Sequence, residues 1–211
     1  MPSHSNNKIM QPGRCYHYYT RTNTSEKLFR NTDNFNFFLS RYQFFINPVC
    51  RTFAYCLMYD HLHMLIQVRN EAVLTDFIKA KYPKKASDSR ELKKMLRTIA
   101  NKEFANLLNS YAQAYNKYHG RSGRLFTNSH RAREIKSREE FVNMIAFIHR
   151  DPVKHGVVQN SAEWAHNSYH AWSFMDEDDS TSLSQTSWLA DPGLKPDEID
   201  IALNKLRAIP A

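Results

Sequence analysis

The sequence predicts an α+β protein built on a ferredoxin-like split βαβ unit, an antiparallel sheet with helices on one face, followed by a C-terminal extension. Three observations predict it. Segments rich in β-branched and aromatic residues alternate with segments of helical periodicity, in the order strand, helix, strand, strand, helix, strand, helix, which contains the βαββαβ pattern. Two apolar runs, residues 50–58 and 61–68, flank a two-residue break at Tyr59-Asp60 and so read as a hairpin. The 211 residues are 42% hydrophobic and 13% aromatic, which suffices for one core with appendages.

The elements follow in order. Residues 1–13 are polar and read as a flexible leader without the apolar core of a signal peptide. Cys15–Thr20 forms the first strand, with Tyr16, Tyr18 and Thr20 on one face and Cys15, His17 and Tyr19 on the other. Asn31–Asn34 supplies caps for a helix whose Phe35, Phe38, Leu39, Tyr42, Phe45 and Ile46 recur at helical spacing, with Pro48 beyond it. Cys50–Met58 and His61–Val68 are the hairpin strands. Residues 79–102 carry Lys79, Lys81, Lys84, Lys85, Arg90, Lys93, Lys94, Arg97 and Lys102 against Asp88 and Glu91. A helix follows over Phe104–Tyr118 and runs into a glycine-punctuated basic loop, residues 119–124. Arg131–Ile135 makes the last strand. Ser137-Arg138-Glu139-Glu140 is a capping box that opens a helix to Arg150, which Asp151-Pro152 is expected to stop. Residues 164–172 add an aromatic flap. From residue 173 to 211 the balance turns acidic, reading as a linker around 175–190 and a short helix, 197–208, able to cover a basic face.

Charge narrows the function. With 29 basic and 21 acidic residues the net charge is +8, which favours a polyanionic partner, nucleic acid before an anionic membrane surface. No apolar run is long enough to span a membrane. Cys15, Cys50 and Cys56 lack CxxC spacing and read as reduced thiols of a cytoplasmic protein.

The strand 61–68 concentrates the chemistry. His61 and His63 stand at i and i+2, so both imidazoles point to one face, shared with Leu65, Gln67 and Tyr59. Leu62, Met64 and Ile66 face the core. Two imidazoles on one strand face are either half of a metal site or two surface histidines. The neighbouring strand order leaves that face open and the basic run adjoins it, as a nucleic-acid surface requires. Arg121, Arg124, Arg131 and Arg133 are the first candidates for phosphate contacts, with Lys93, Lys94 and Arg97 behind them. Tyr59 and Gln67 are candidates for supporting the histidines or touching DNA.

Three motifs taken together, Tyr55–Gln67 with His61-Leu62-His63, Ser110–Lys117 leading to Gly123-Arg124-Leu125-Phe126, and Phe147–Gly156, resemble the single-tyrosine HUH transposases, specifically the IS200-like REP-associated tyrosine transposases. The resemblance covers residues 14–172 and makes them an HUH transposase-like domain. It implies metal-dependent cleavage and transfer of single-stranded, hairpin-bearing DNA through a 5′-phosphotyrosine intermediate. It implies Mg²⁺ or Mn²⁺ held by His61, His63 and, one helical turn after the nucleophile, Asp151, where relatives often carry Asn or Gln. It implies a monomer or homodimer. The nucleophilic tyrosine should stand at position 147, and this chain has Phe147 there. A phenyl ring cannot attack phosphorus, so the chain as given is expected to be cleavage-deficient, by engineering or by natural loss. Tyr59, Tyr111, Tyr115 and Tyr118 are the other hydroxyls considered. The alternative is a non-enzymatic binder of structured single-stranded DNA. A metal-dependent hydrolase would need a second His/Asp cluster, and none is evident.

Overall fold

A computed structural model describes residues 9–23, 26–127 and 131–173. The chain runs β1 (Cys15–Arg21), α1 (Thr32–Ile46), β2 (Cys50–Leu57), β3 (His61–Val68), α2 (Glu71–Lys81), α3 (Pro83–Ala86), α4 (Ser89–Tyr118), β4 (Arg131–Ile135), α5 (Arg138–Lys154), a 3₁₀ turn (Ser161–Glu163) and α6 (Tyr169–Ser173). The sheet order is β2-β3-β1-β4, antiparallel throughout, so the histidine strand is central. The expected acidic linker and terminal helix lie outside the described residues, as does most of the expected leader.

The sheet separates two chemistries. On one face Tyr16, Tyr18, Thr52, Met64 and Ile66 are buried beneath α1 and α4. There Tyr18 stacks on Phe104 with centroids 3.9 Å apart, and the Tyr42 and Thr52 hydroxyls bond at 2.7 Å. Tyr16 and Tyr18 are thus core residues. The other face carries His17, Tyr19, His61 and His63, since residues opposed in register share a face.

The expectation that helices leave this second face open is wrong for half of it. Helix α5 packs on β2 and β3, and the ring of Phe53, at a β-bulge between Thr52 and Ala54, meets Phe141 edge-on at 5.0 Å. The reason lies in the composition of α5: Phe141, Met144, Ile145 and Ile148 form an apolar face that must be covered. The Pro152 stop is wrong too. Pro152 lies inside α5, and the helix ends two residues later in a Schellman motif, with Val157 N–H donating to Pro152 O and Gly156 N–H to Val153 O. Gly156 has φ +64, the left-handed conformation this motif needs. The Ser137 cap accepts from Glu140 N–H as expected, while the Glu140 carboxylate accepts from Lys136 N–H rather than from Ser137.

Two further boundaries differ. Residues 9–13 are docked: Met10 is buried with its N–H on Asn101 Oδ1 at 3.0 Å, and Gly13 N–H reaches Val68 O. Helix α4 is 30 residues long, starting at the Asp88 cap rather than at Phe104. Its first half carries most of the basic run, yet Glu103 there is 0% exposed and accepts from Lys81 Nζ at 2.7 Å and Tyr82 OH at 2.9 Å. This pair ties α2 to α4. Glu103→Ala strands Lys81 and Tyr82 but leaves both free to reach water, so urea unfolding should show a loss of about 2 kcal/mol. An unchanged midpoint would mean the pair contributes nothing.

Candidate metal centre

The turn at Tyr59-Asp60 starts β3 with a histidine already facing α5. His61 Nε2 lies 2.8 Å from Asp151 Oδ2, and His63 Nε2 lies 3.7 Å from the same oxygen. All three residues are buried, and their ligand-capable atoms lie within 4.8 Å of one another. Asp151 sits at that point because α5 crosses β3 with its last turns over the histidines; its exposure is 2%.

Each imidazole is held from behind. Asp60 Oδ1 lies 2.7 Å from His61 Nδ1, and His17 Nε2 lies 2.8 Å from His63 Nδ1. Both rings therefore turn Nε2 towards Asp151, the outer-partner arrangement that orients metal-binding histidines. Burial pulls the pKa of His61 down, but Asp151 and Asp60 outweigh it and raise it. Burial pushes His63 down to about 3, with Asp151 opposing and the neighbouring imidazoles adding to the shift. His17 is lowered to about 4, mainly by burial. Burial favours the neutral Asp151 acid, but the His61 hydrogen bond and the nearby imidazoles hold its pKa below the usual carboxylate value. A neutral His63 and an ionised Asp151 are the protonation states a divalent cation needs.

Phe147 stands one turn before Asp151 on the same helix face. Its ring is 37% exposed, edge-on to His63 at 5.3 Å and to His17 at 5.8 Å. Position 147 thus lies at the rim of the cluster with an open side. Tyr111, Tyr115 and Tyr59 are elsewhere. Tyr111 OH and Tyr115 OH donate to Leu28 O and Lys27 O, and Tyr118 is exposed at the end of α4.

Other predicted site residues divide. In register, Arg131 opposes Tyr19 and Arg133 opposes His17, so both arginines share the histidine face; Arg133 also bonds Glu140. Arg124 is exposed. Arg121 is pinned by Glu26 at 2.9 Å and by Asn116 at 2.6 Å, which shapes the loop instead of presenting a free cation. Tyr59 packs on Phe35 and Trp164 rather than on the histidines, because at the turn the strand alternation no longer applies. Gln67 bonds Gly13 O at the far end of β3. Lys93, Lys94 and Arg97 line a groove with residues 9–12, also at that far end, and do not adjoin the histidines in space.

Two further histidines belong to α5 and its cap. His149 is fully buried with Nε2 2.8 Å from Ser168 Oγ, and burial lowers its pKa to about 3. His155 stands at the rim of the cluster with Nε2 3.6 Å from Asp151 Oδ1. His17 was missed as the partner of His63. The face alternation of β1 hinted at it, but the β1–β3 register could not be read from the sequence.

The fold and the centre define an α+β protein with a buried His-His-Asp cluster on a four-stranded antiparallel sheet. No protein-family model matches the chain. In sequence it is 25% identical over 173 residues, 78% of this chain and 81% of the other, to a Haemophilus influenzae protein named "Putative REP-associated tyrosine transposase". In fold it matches a REP-associated tyrosine transposase solved bound to a REP hairpin, with TM-score 0.53 and 13% identity over 93% of this chain and 96% of the other. Its motifs, its fold and its sequence thus all resemble those of REP-associated tyrosine transposases. No helix among the described residues is long and apolar enough to cross a membrane.

Proposed function

We propose that this protein is a transposase-type DNA-binding protein that takes single-stranded, hairpin-bearing DNA on the histidine face and, as given, does not cleave it. The observation that carries the reading is the convergence of His61, His63 and Asp151, with Phe147 one helical turn before Asp151 at the cluster's rim. Two imidazoles and a carboxylate fit Mg²⁺ or Mn²⁺, the imidazoles favouring Mn²⁺; when bound, the ion supplies a Lewis acid for a phosphate oxygen.

The chain's own residues do the rest. Asp60 and His17 hold the two rings in orientation. The β1–β4 half of the face offers Arg131, Arg133 and Tyr19 to a strand crossing towards the cluster, with Tyr19 stacked 4.7 Å from His63. Arg124 is a further contact from the loop before β4. Position 147 faces the phosphate with a ring that can pack but cannot attack.

A binder without chemistry is the second reading, and Phe147 favours it. Binding itself is tested by titrating a single-stranded hairpin at several salt concentrations. Three or more neutralised phosphates should give a log–log slope of about −2 or steeper. Weak binding with a flat salt dependence would sink both nucleic-acid readings.

A further inference from the structure

We infer, resting on the reading of His61, His63 and Asp151 as a metal centre, that His155 is its fourth protein ligand, which makes the centre a three-imidazole, one-carboxylate site for Zn²⁺ and similar transition ions rather than for Mg²⁺.

The spacing comes from the end of a helix. Asp151 and His155 stand at i and i+4 and share a face of α5. His155 is the cap residue: its N–H donates to Asp151 O, and Gly156 turns the chain away at φ +64. The last turn therefore stays wound, and the imidazole stays beside the carboxylate. Two ligand-type side chains at i and i+4 on a helix can chelate one ion, as two at i and i+2 on a strand can. Strand β3 supplies the strand pair, His61 and His63, and α5 supplies the helix pair, Asp151 and His155. The side chains of His61, His63 and Asp151 are 8%, 8% and 2% exposed against 49% for His155, which thus stands on the open side of the centre.

Distances place His155 with the ligands and not with the residues behind them. The groups that orient the two rings are at hydrogen-bond range, Asp60 at 2.7 Å from His61 and His17 at 2.8 Å from His63. His155 Nε2 lies 3.6 Å from Asp151 Oδ1, too far for a hydrogen bond. His63 Nε2 has the same kind of separation, 3.7 Å from Asp151 Oδ2. Donors about 2.0 Å from one tetrahedral ion stand about 3.3 Å apart, so both gaps suit groups that share an ion. The rings of His61 and His155 have centroids 5.0 Å apart. His155 is outside the compact group formed by the other three, and its half-exposed side chain can rotate about χ1 and χ2 to carry Nε2 inward without moving the backbone.

The added imidazole changes which ion fits. Mg²⁺ demands near-octahedral oxygen coordination and keeps several waters. Three imidazoles and a carboxylate are a nitrogen-rich set that matches Zn²⁺ or Co²⁺. Four protein donors also close a tetrahedron, and His155, the most exposed of them, is the ligand that an entering phosphate oxygen can displace.

The test uses the full chain with Co²⁺ as a spectroscopic probe. The parent should show the intense visible bands of a four-coordinate ion, because geometry decides the spectrum. His155→Gln should still bind Co²⁺, with the faint bands of a six-coordinate ion. By titration calorimetry its Zn²⁺ affinity should lie about 10–100-fold below that of the parent, and its Mg²⁺ affinity within about twofold. The ion-free Tm should stay where it is, since the side chain is half-exposed. Faint bands in the parent overturn the fourth ligand without recourse to a variant. An unchanged spectrum and Zn²⁺ affinity in His155→Gln overturn it as well and leave the three-residue centre standing. Equal losses for Zn²⁺ and Mg²⁺, or a lowered ion-free Tm with Zn²⁺ affinity unchanged, make His155 a partner of Asp151 and not a ligand. Failure of the parent to bind Co²⁺, Zn²⁺ and Mn²⁺, or binding that survives Asp151→Ala undiminished, removes the metal reading and this inference with it.

Discussion

Phe147→Tyr should convert the protein from a binder into a strand-cleaving enzyme, visible as a covalent protein–DNA adduct that survives denaturing electrophoresis in the presence of Mn²⁺. The added hydroxyl costs little in packing, since the ring is 37% exposed and touches His63 and His17 by its edge. It would stand on the same helix face as Asp151, at the rim where a phosphate approaches the imidazoles. The phenolic oxygen forms the new bond to phosphorus, its proton passes to solvent, and the bond to the 3′ oxygen breaks, leaving a 3′-hydroxyl on the released strand. Losing a nucleophile commonly costs several orders of magnitude, so restoring one should raise adduct formation at least about 10³-fold over the parent chain. The double change Phe147→Tyr/Asp151→Ala should remove the adduct again. An adduct formed at comparable rate by the unaltered chain would show that another hydroxyl is the nucleophile. No adduct with the tyrosine, in a variant that still binds the hairpin, would remove the cleavage geometry from the proposal.

What the sequence revealed about this centre, and what it did not, follows from the range of the interactions. The β3 strand was legible to the residue because alternation and a two-residue turn are local signals. The antiparallel split βαβ sheet followed from the order of the elements along the chain. Asp151 became a candidate only through the resemblance, since nothing local distinguishes it from a helix-ending acid. The covering of the histidine face by α5 and the pairing of His17 with His63 depend on a register and a helix placement that no periodicity encodes. Helix α4 was cut short for a related reason: a solvated basic face resembles a loop until Glu103 is seen buried against Lys81. The same error put Lys93, Lys94 and Arg97 beside the histidines, when the length of α4 carries them to the other end of the sheet.

Removing the ligands should separate holding the ion from orienting the groups that hold it. Asp151→Ala deletes the oxygen on which both Nε2 atoms converge, and Mn²⁺ affinity, read by titration calorimetry or by the spin signal of free Mn²⁺, should fall more than about 100-fold. His17→Ala leaves all three ligands but frees the His63 ring to rotate, so a loss of about 10–100-fold is expected. The two variants also differ in stability with and without ion. An ion present at about 100 times its dissociation constant stabilises the folded state by about 2.7 kcal/mol. For a chain of this length that corresponds to a rise in Tm of roughly 5–10 °C. The parent should show that rise, Asp151→Ala should show almost none, and His17→Ala should recover part of it at higher Mn²⁺. The ion-free Tm of Asp151→Ala is the internal control, because loss of a buried carboxylate bonded to His61 lowers stability whether or not an ion ever binds. A drop in ion-free Tm with an unchanged Mn²⁺-induced rise would mean that Asp151 is a structural partner of His61 and that the cation sits elsewhere or nowhere. The graded outcome, complete for Asp151 and partial for His17, is expected only if the carboxylate and the two imidazoles act as one ligand set with His17 behind it.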